Sequence, residues 1–244
     1  MAAIATDADV RSLVGETGGG TSPFRGTELY DFVRRERPVE CLELGFAHGV
    51  STAYIAAALE ANGAGHLTSV DLDVARDRDP SADALLRRAE LEGRVTLVYE
   101  PVSYDWYLHR RIRERTRDGV CAPCFDFCFF DGAHRWVDDG LAFFLVDKLL
   151  RPGGWLLFDD LTWKIDALDV HESERAVAGV REVFELLVQG HPDYDRFETD
   201  GEWGWARKHT GGAPQVRTVV ERDLLAGLLQ AVSAVRAALR RRLT

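Results

Sequence analysis

Two apolar runs in this sequence end in acids. Phe125-Asp126-Phe127-Cys128-Phe129-Phe130 leads into Asp131, and Trp155-Leu156-Leu157-Phe158 leads into Asp159-Asp160, 28 residues further on. That interval holds one helix and its turns, so the runs read as neighbouring parallel strands whose carboxyl ends bring the three acids together. Neighbouring strands lie about 4.8 Å apart, and carboxylates that close repel one another unless an ion or a proton intervenes. A hard divalent cation resolves the conflict, and oxygen-rich ligation suits Mg²⁺ or a similar ion. His134 stands three residues beyond Asp131. Its imidazole titrates near neutrality, which suits a general base; beside a metal that polarises a hydroxyl, it is placed to take the proton. A single Asp or His is usually a turn residue or a cap, but three acids and a base on one edge weigh against that reading.

A second constellation precedes these. Val39–Leu44 reads as a buried strand, and it runs directly into Glu43-Leu44-Gly45-Phe46-Ala47-His48-Gly49-Val50-Ser51-Thr52, which opens a helix. Ligands of open α/β sheets bind at such strand ends, beside helix N-termini, and glycines there admit a close approach of backbone to ligand. Gly45 and Gly49 are four residues apart, and Ala47 stands where a dinucleotide fingerprint requires its middle glycine. Glu43 before the turn suits a cationic ammonium and repels a pyrophosphate. Both features count against a nicotinamide dehydrogenase. Ser51 and Thr52 are placed to serve a ligand carboxylate at the helix start. The next strand ends at Asp71, 26 residues after Gly45, where an acid can hydrogen-bond ribose hydroxyls. Together these residues describe a ligand with an amino acid at one end and a nucleoside at the other.

On these residues the sequence resembles the class I S-adenosylmethionine-dependent methyltransferases, over about Thr21 to His209. The Asp131-x-x-His134 and Asp159-Asp160 pattern resembles their metal-dependent O-methyltransferase branch, and most of all the enzymes that methylate sugars of natural products. The resemblance implies that Glu43, Gly45, Gly49, Ser51, Asp71 and Ser103 hold S-adenosylmethionine, with Val102-Ser103 near the adenine. It also implies that Asp131, Asp159 and Asp160 hold Mg²⁺, and that His134 deprotonates an acceptor hydroxyl. The catechol and caffeoyl-CoA relatives tend to place Lys at the His134 position and Asn at the Asp160 position, and the catechol enzymes keep Trp where Ala133 stands. These departures bear on the acceptor: a sugar hydroxyl of a nucleotide-sugar or glycosylated natural product comes first, a catechol-like phenol second. A rival of another class is a catalytically inactive S-adenosylmethionine-binding subunit, which would bind cofactor without metal-dependent turnover.

The elements that must position these residues follow from hydrophobic spacing. Strands at Val39–Leu44, His66–Asp71, Val95–Tyr99, Phe125–Asp131 and Trp155–Asp159 alternate with helices at Ser51–Ala61, Ala82–Glu92, Trp106–Thr116, Val137–Leu150 and Ser173–Val188. Such alternation predicts a doubly wound α/β, Rossmann-like sheet, mostly parallel, with helices on both faces. Phe197–Thr199 and Trp203–Lys208 flank Asp200-Gly201-Glu202 and predict an antiparallel C-terminal hairpin. A helix over Glu28–Arg35 opens the domain, taken as residues 28–209. Residues 1–27, rich in Gly, Thr and Ala, read as an arm or lid, with Ser22–Gly26 placed to close over the site. Residues 210–244 carry a long amphipathic helix, Val216–Leu243, whose apolar stripe makes a homodimer an expectation.

The 244 residues, 46% apolar and 29% charged, suffice for a core without staples. The net charge of −10 argues against nucleic acid as the main partner. Arg110 to Arg117 alternate with Glu114 and Asp118 and read as a solvated helix face. No apolar run reaches the roughly 18 residues of a membrane span, and Asp7 and Asp9 lie where a signal peptide carries positive charge. A cytoplasmic, membrane-free protein with a small hydroxyl-bearing acceptor is the expectation. Cys121-x-x-Cys124 and Cys128 lack a second pair and read as ordinary buried thiols. Trp163, Lys164 and His171, beyond the Asp pair, are candidates to line the acceptor pocket.

Overall fold

The computed structural model describes residues 6–15, 23–166 and 171–211. Within them, helices α1 (Asp7–Val14) and α2 (Pro23–Glu36) precede strand β1 (Glu40–Leu44), followed by α3 (Val50–Asn62), β2 (His66–Leu72), α4 (Ala82–Ala89), β3 (Val95–Glu100) and α5 (Tyr104–Arg115). A two-residue ladder, β4 (Thr116–Arg117) and β5 (Val120–Cys121), leads to β6 (Phe125–Phe130), α6 (Trp136–Leu149) and β7 (Leu150–Phe158). The short helices α7 (Glu172–Arg175) and α8 (Gly179–Glu182) precede the hairpin β8 (Tyr194–Thr199) and β9 (Gly204–Lys208).

The main sheet has seven strands in the order β3-β2-β1-β6-β7-β9-β8. The first five run parallel, whereas β9 is antiparallel to both β7 and β8. This is the expected mostly parallel sheet with an antiparallel C-terminal hairpin. Central strands such as Phe-Asp-Phe-Cys-Phe-Phe are apolar on both faces because helices cover both. On one face α5, α6 and the 179–188 segment bury Leu108, Phe143, Val146 and Phe184 against Leu42, Cys128 and Leu156. On the other, α2 and α3 bury Phe32, Val33, Ile55 and Leu59 against Phe127, Phe129 and Leu157.

The chain leaves β1 and winds outward through β2 and β3, then returns to place β6 on the opposite side of β1. The order of winding reverses between β1 and β6, and that reversal is where an open α/β sheet forms a ligand crevice. Leu44 pairs with Phe130 in register, so the turns after β1 and β6 emerge together. Gly45 has φ +87°, and a Cβ there would overlap the Asp131 carbonyl oxygen. Both the backbone conformation and the space require glycine.

Several expected boundaries move. The segment read as an N-terminal arm contains α1, with Val10 and Val14 buried against Ala53, Tyr54 and Leu86. Thr6 caps α1 by accepting from the Asp9 amide. Glycine-rich composition hid this short apolar i, i+4 pair. Helix α2 begins at Pro23, five residues before the expected start, and packs so closely that a Cβ at Gly26 would overlap the Tyr54 ring. Strand β7 begins at Leu150, because Leu150 already pairs with Phe125 ahead of the register shift. The helix expected over Ser173–Val188 is instead α7, α8 and a π-helical stretch Val183–Val188. The interruption falls at Ala178, whose extended backbone (φ −84°, ψ 96°) precedes α8, and Gly179 beyond it lies where an added Cβ would be 2.8 Å from the Trp136 amide nitrogen. The β4–β5 ladder turns on Asp118-Gly119, both at positive φ, a dipeptide that signals such turns. The expected Val216–Leu243 helix, and the dimer inferred from it, lie outside the described residues.

The two kinds of glycine constraint give a graded test. Gly63, at φ +71°, has nothing within 4 Å of an added Cβ. Gly63→Ala is expected to cost about 1 kcal/mol, the conformational term alone. Gly45→Ala adds the collision with Asp131 and is expected to cost at least about 2 kcal/mol. Thermal denaturation of the two variants measures the difference.

Candidate active site

The turns that leave β1, β2, β3, β6 and β7 surround a cavity of about 740 Å³. Its walls at one end are Gly45, Phe46, Ala47, Ser51, Asp71 and Ser103; at the other they are Asp131, His134, Asp159, Asp160, Arg25 and Glu202. Eight of the ten residues singled out in the sequence therefore line a single cavity. Glu43 and Gly49 do not; each lies behind the wall.

At the first end, the glycine turn is held from outside. Asp71 Oδ2 accepts from the amides of Phe46 (2.9 Å) and Ala47 (2.7 Å), and Oδ1 accepts from Leu72 (2.6 Å). This carboxylate therefore fixes the loop as well as facing the cavity. Gly49 caps α3 in the left-handed conformation, and a Cβ there would meet Ala82 at 2.7 Å. The Ser103 hydroxyl caps α5 by accepting from Asp105 N and donates to the Asp105 carboxylate at 2.8 Å.

Glu43 is fully buried. Its Oε2 accepts from Thr52 Oγ1 at 2.6 Å and from the Ser69 hydroxyl. Thr52 is thereby spent on Glu43 and does not face the cavity, which corrects its expected role. Glu43 Oε1 is buried without a hydrogen-bond partner among the described residues. Burial pushes this carboxyl up to about 7, although the hydroxyls of Ser51, Ser69 and Thr52 favour the charged form. An unsatisfied acidic oxygen beneath a glycine cradle fits a cofactor that brings a positive charge and hydrogen-bond donors.

At the second end, Asp131 follows β6 and Asp159 follows β7. Asp131, His134 and Asp160 each offer a donor atom within 4.8 Å of the others. His134 Nε2 lies 3.9 Å from Asp131 Oδ1 and Nδ1 lies 3.6 Å from Asp160 Oδ2. Both His134 (φ +54°) and Asp160 (φ +58°) adopt the left-handed conformation, a local backbone strain, and both line the cavity. Burial and then the charges of Asp159, Asp160, Glu43 and Asp71 raise the Asp131 pKa well above the usual range. All these influences have one sign, as expected of a site that a cation completes. Burial lowers the His134 pKa, against the pull of Asp160, so the imidazole is neutral at neutral pH.

Asp159 differs from the sequence expectation of three equivalent acids. Its Oδ1 accepts from Trp203 Nε1 and from Asp160 N, both at 2.7 Å, and only the other oxygen remains for a ligand. A second group, Asp147, His191 and Asp193, also clusters. There Lys208 Nζ, 2.9 Å from Asp147 Oδ1, already supplies the cation.

Several residues of the site escaped the sequence reading. Arg25 crosses the rim to Asp200 (2.8 and 3.2 Å) with its guanidinium 4.5 Å from the Trp203 ring centre. Glu202 accepts from Thr162 Oγ1 at 2.6 Å. Neither residue stands in a local motif, and only the pairing of the hairpin with the sheet brings them here. Trp163 packs beside His134, ring centres 5.1 Å apart, and is 42% exposed. Lys164 and His171 are committed elsewhere: Lys164 donates to the Ala176 carbonyl, and His171 caps α7. All four cysteines are free thiols, three of them buried.

Residues 42–161 match the model of a methyltransferase domain family. The fold matches an O-methyltransferase from Bacillus cereus in complex with S-adenosylhomocysteine (TM-score 0.60, 21% identity, 83% of this chain and 88% of that one). It also matches the O-methyltransferase TomG of Streptomyces achromogenes, involved in tomaymycin synthesis, in complex with S-adenosylmethionine (TM-score 0.58, 21% identity, 84% and 89%). A third match is the S-adenosylhomocysteine-bound methyltransferase PaMTH1 of Podospora anserina (TM-score 0.57, 16% identity, 83% and 87%). No curated protein matches the chain significantly. No helix among the described residues is long and apolar enough to cross a membrane.

The Glu43 environment generates a pH-dependent prediction. Its folded pKa of about 7 stands above the ordinary 4.5, so the native state holds a proton that the unfolded chain releases between those values. Stability therefore falls as pH rises through that window. Glu43→Gln is expected to gain on the order of 2–4 kcal/mol at pH 8 and far less at pH 5. Denaturant unfolding of the wild type and the variant at both pH values checks the sign.

Proposed function

We propose that the chain is a class I S-adenosylmethionine-dependent O-methyltransferase acting on a small hydroxyl-bearing acceptor with the help of a divalent cation. The observation that carries this reading is the convergence of Asp131, His134 and Asp160 in the same cavity as the glycine turn.

Gly45, the 45–49 backbone and Ser51 hold the amino-acid end of the cofactor, with Glu43 supplying negative charge from beneath. Asp71 holds the ribose and Ser103 lies toward the adenine. S-adenosylmethionine, when bound, supplies an electrophilic methyl carbon on a sulfonium. Asp131 and Asp160, with the second oxygen of Asp159, hold a divalent cation such as Mg²⁺, which when bound lowers the pKa of an acceptor hydroxyl. His134, neutral at neutral pH, takes that hydroxyl's proton on a ring nitrogen. The rest of the rate comes from holding acceptor and cofactor in line. The acceptor is a sugar hydroxyl with a neighbouring oxygen, as in a glycosylated natural product; exposed Trp163 beside His134 offers a flat apolar surface for a sugar face. The shared fold of TomG, an O-methyltransferase involved in tomaymycin synthesis, supports a natural-product acceptor.

Calorimetry with S-adenosylhomocysteine, NAD as control, tests the cofactor; binding of NAD alone would refute the reading. Methyl transfer to sugar diols and to catechols then separates the acceptor classes. His134→Gln and Asp131→Ala are each expected to lower turnover at least about a hundredfold, the scale of a lost general base, with S-adenosylhomocysteine still bound. EDTA should abolish turnover and Mg²⁺ restore it. Full activity in excess chelator would remove the cation from the mechanism. Glu43→Gln, which removes a charge from behind the cavity wall, is expected to weaken S-adenosylhomocysteine about threefold.

A further inference from the structure

Asp139 is a buried acid that the proposed chemistry does not use. It lies in the first turn of α6, only 2% exposed. Burial raises its pKa to about 6, against hydrogen bonds that favour the charged form. Its Oδ1 accepts from the Tyr104 hydroxyl at 2.6 Å and its Oδ2 from the Arg135 amide at 2.8 Å. The Tyr104 hydroxyl in turn accepts from the Ala133 amide at 3.4 Å. The Tyr104 ring packs against Gly132, where a Cβ would collide with it.

These contacts fall on Gly132, Ala133 and Arg135, on both sides of His134. His134 itself is left-handed, a conformation that persists in a non-glycine residue only where its surroundings impose it. On the far side, the backbone at Gly179 approaches so closely that an added Cβ would lie 3.0 Å from the His134 carbonyl oxygen.

We propose that Tyr104 and Asp139 are positioning residues: a brace anchored in α5 and α6 that holds the 131–135 turn so that Asp131 and His134 face one point. The consequence for cation binding rests on the reading of Asp131 and Asp160 as ligands; the bracing of the turn does not.

The test uses Tyr104→Phe and Asp139→Asn in the full-length protein. Hydrogen–deuterium exchange reads the 131–136 amides, Mn²⁺ is the probe of the acidic end by electron paramagnetic resonance, and S-adenosylhomocysteine calorimetry reports on the remaining fold. Both variants should speed exchange in the turn about tenfold, the effect of one lost hydrogen bond, without a change over 40–62. Mn²⁺ affinity should fall about 10- to 100-fold, as for other residues that orient metal ligands. S-adenosylhomocysteine affinity should stay within about threefold, well short of a whole hydrogen bond. Unchanged turn exchange in both variants would overturn the brace. Faster exchange with unaltered Mn²⁺ affinity would overturn the positioning role. A wild type that binds no Mn²⁺ would remove the cation reading, and the exchange measurement would then decide the brace by itself. The Asp139→Asn change keeps the shape of the acid, so that arm carries the test if Tyr104→Phe is unstable.

Discussion

The site depends on the pairing of β1 with β6. Leu44 against Phe130 in register puts two chain reversals side by side, one built around Gly45 and the other around Asp131. The contact is close enough to exclude any side chain at residue 45. A cofactor cradle and an acidic centre that are 86 residues apart in sequence thus share one wall. Everything else in the cavity is arranged around that contact. Asp71 ties the first reversal to β2, Tyr104 and Asp139 tie the second to α5 and α6, and Trp203 ties Asp159 to the hairpin.

The electrostatics follow from the same geometry. Parallel strands deliver their carboxyl ends, and the acids on them, to one edge, where burial removes the water that would screen them. Each end of the cavity therefore holds an acid whose charged form is disfavoured as the site stands: Glu43 beneath the glycine turn, by burial, and Asp131 at the far end, by burial and by the neighbouring carboxylates. Positive charge at two separate places would favour the charged forms, which is what the proposed function asks of a sulfonium or ammonium at one end and a divalent cation at the other. By contrast, Asp147 at the opposite edge is answered by Lys208 and Tyr194. The difference between a site and a satisfied cluster lies in whether the protein supplies its own counter-charge.

What the sequence disclosed was what repeats locally. Alternating apolar strands and helices, glycines at a strand end and acids at three others are short-range patterns, and they located the sheet, its hairpin and most of the cavity wall. What stayed hidden depends on packing. Helix α1 was masked by the glycines that follow it, although Val10 and Val14 are four residues apart. The glycine at 179 answers to a turn 45 residues away, which its backbone approaches closely. Arg25 and Glu202 reach the rim only through the hairpin. Asp139 drew no notice in the sequence, because an acid in a helix's first turn is ordinary there; its bonds to Tyr104 and Arg135 belong to the tertiary structure.

The Arg25–Asp200 contact joins residues 175 apart in the chain. No local pattern in the chain could bring these two residues together; only the packing of the whole domain does. The glycine turn and the strand-end acids belong to the continuous sheet, whereas this stretch of rim is complete only when α2 and the β8–β9 hairpin have both docked. This stretch of the mouth is thus held by side-chain contacts between separate elements and not by a strand ladder. Parting the Arg25–Asp200 contact would widen the rim without touching the ladder between β1 and β6 that sets Gly45 beside Asp131.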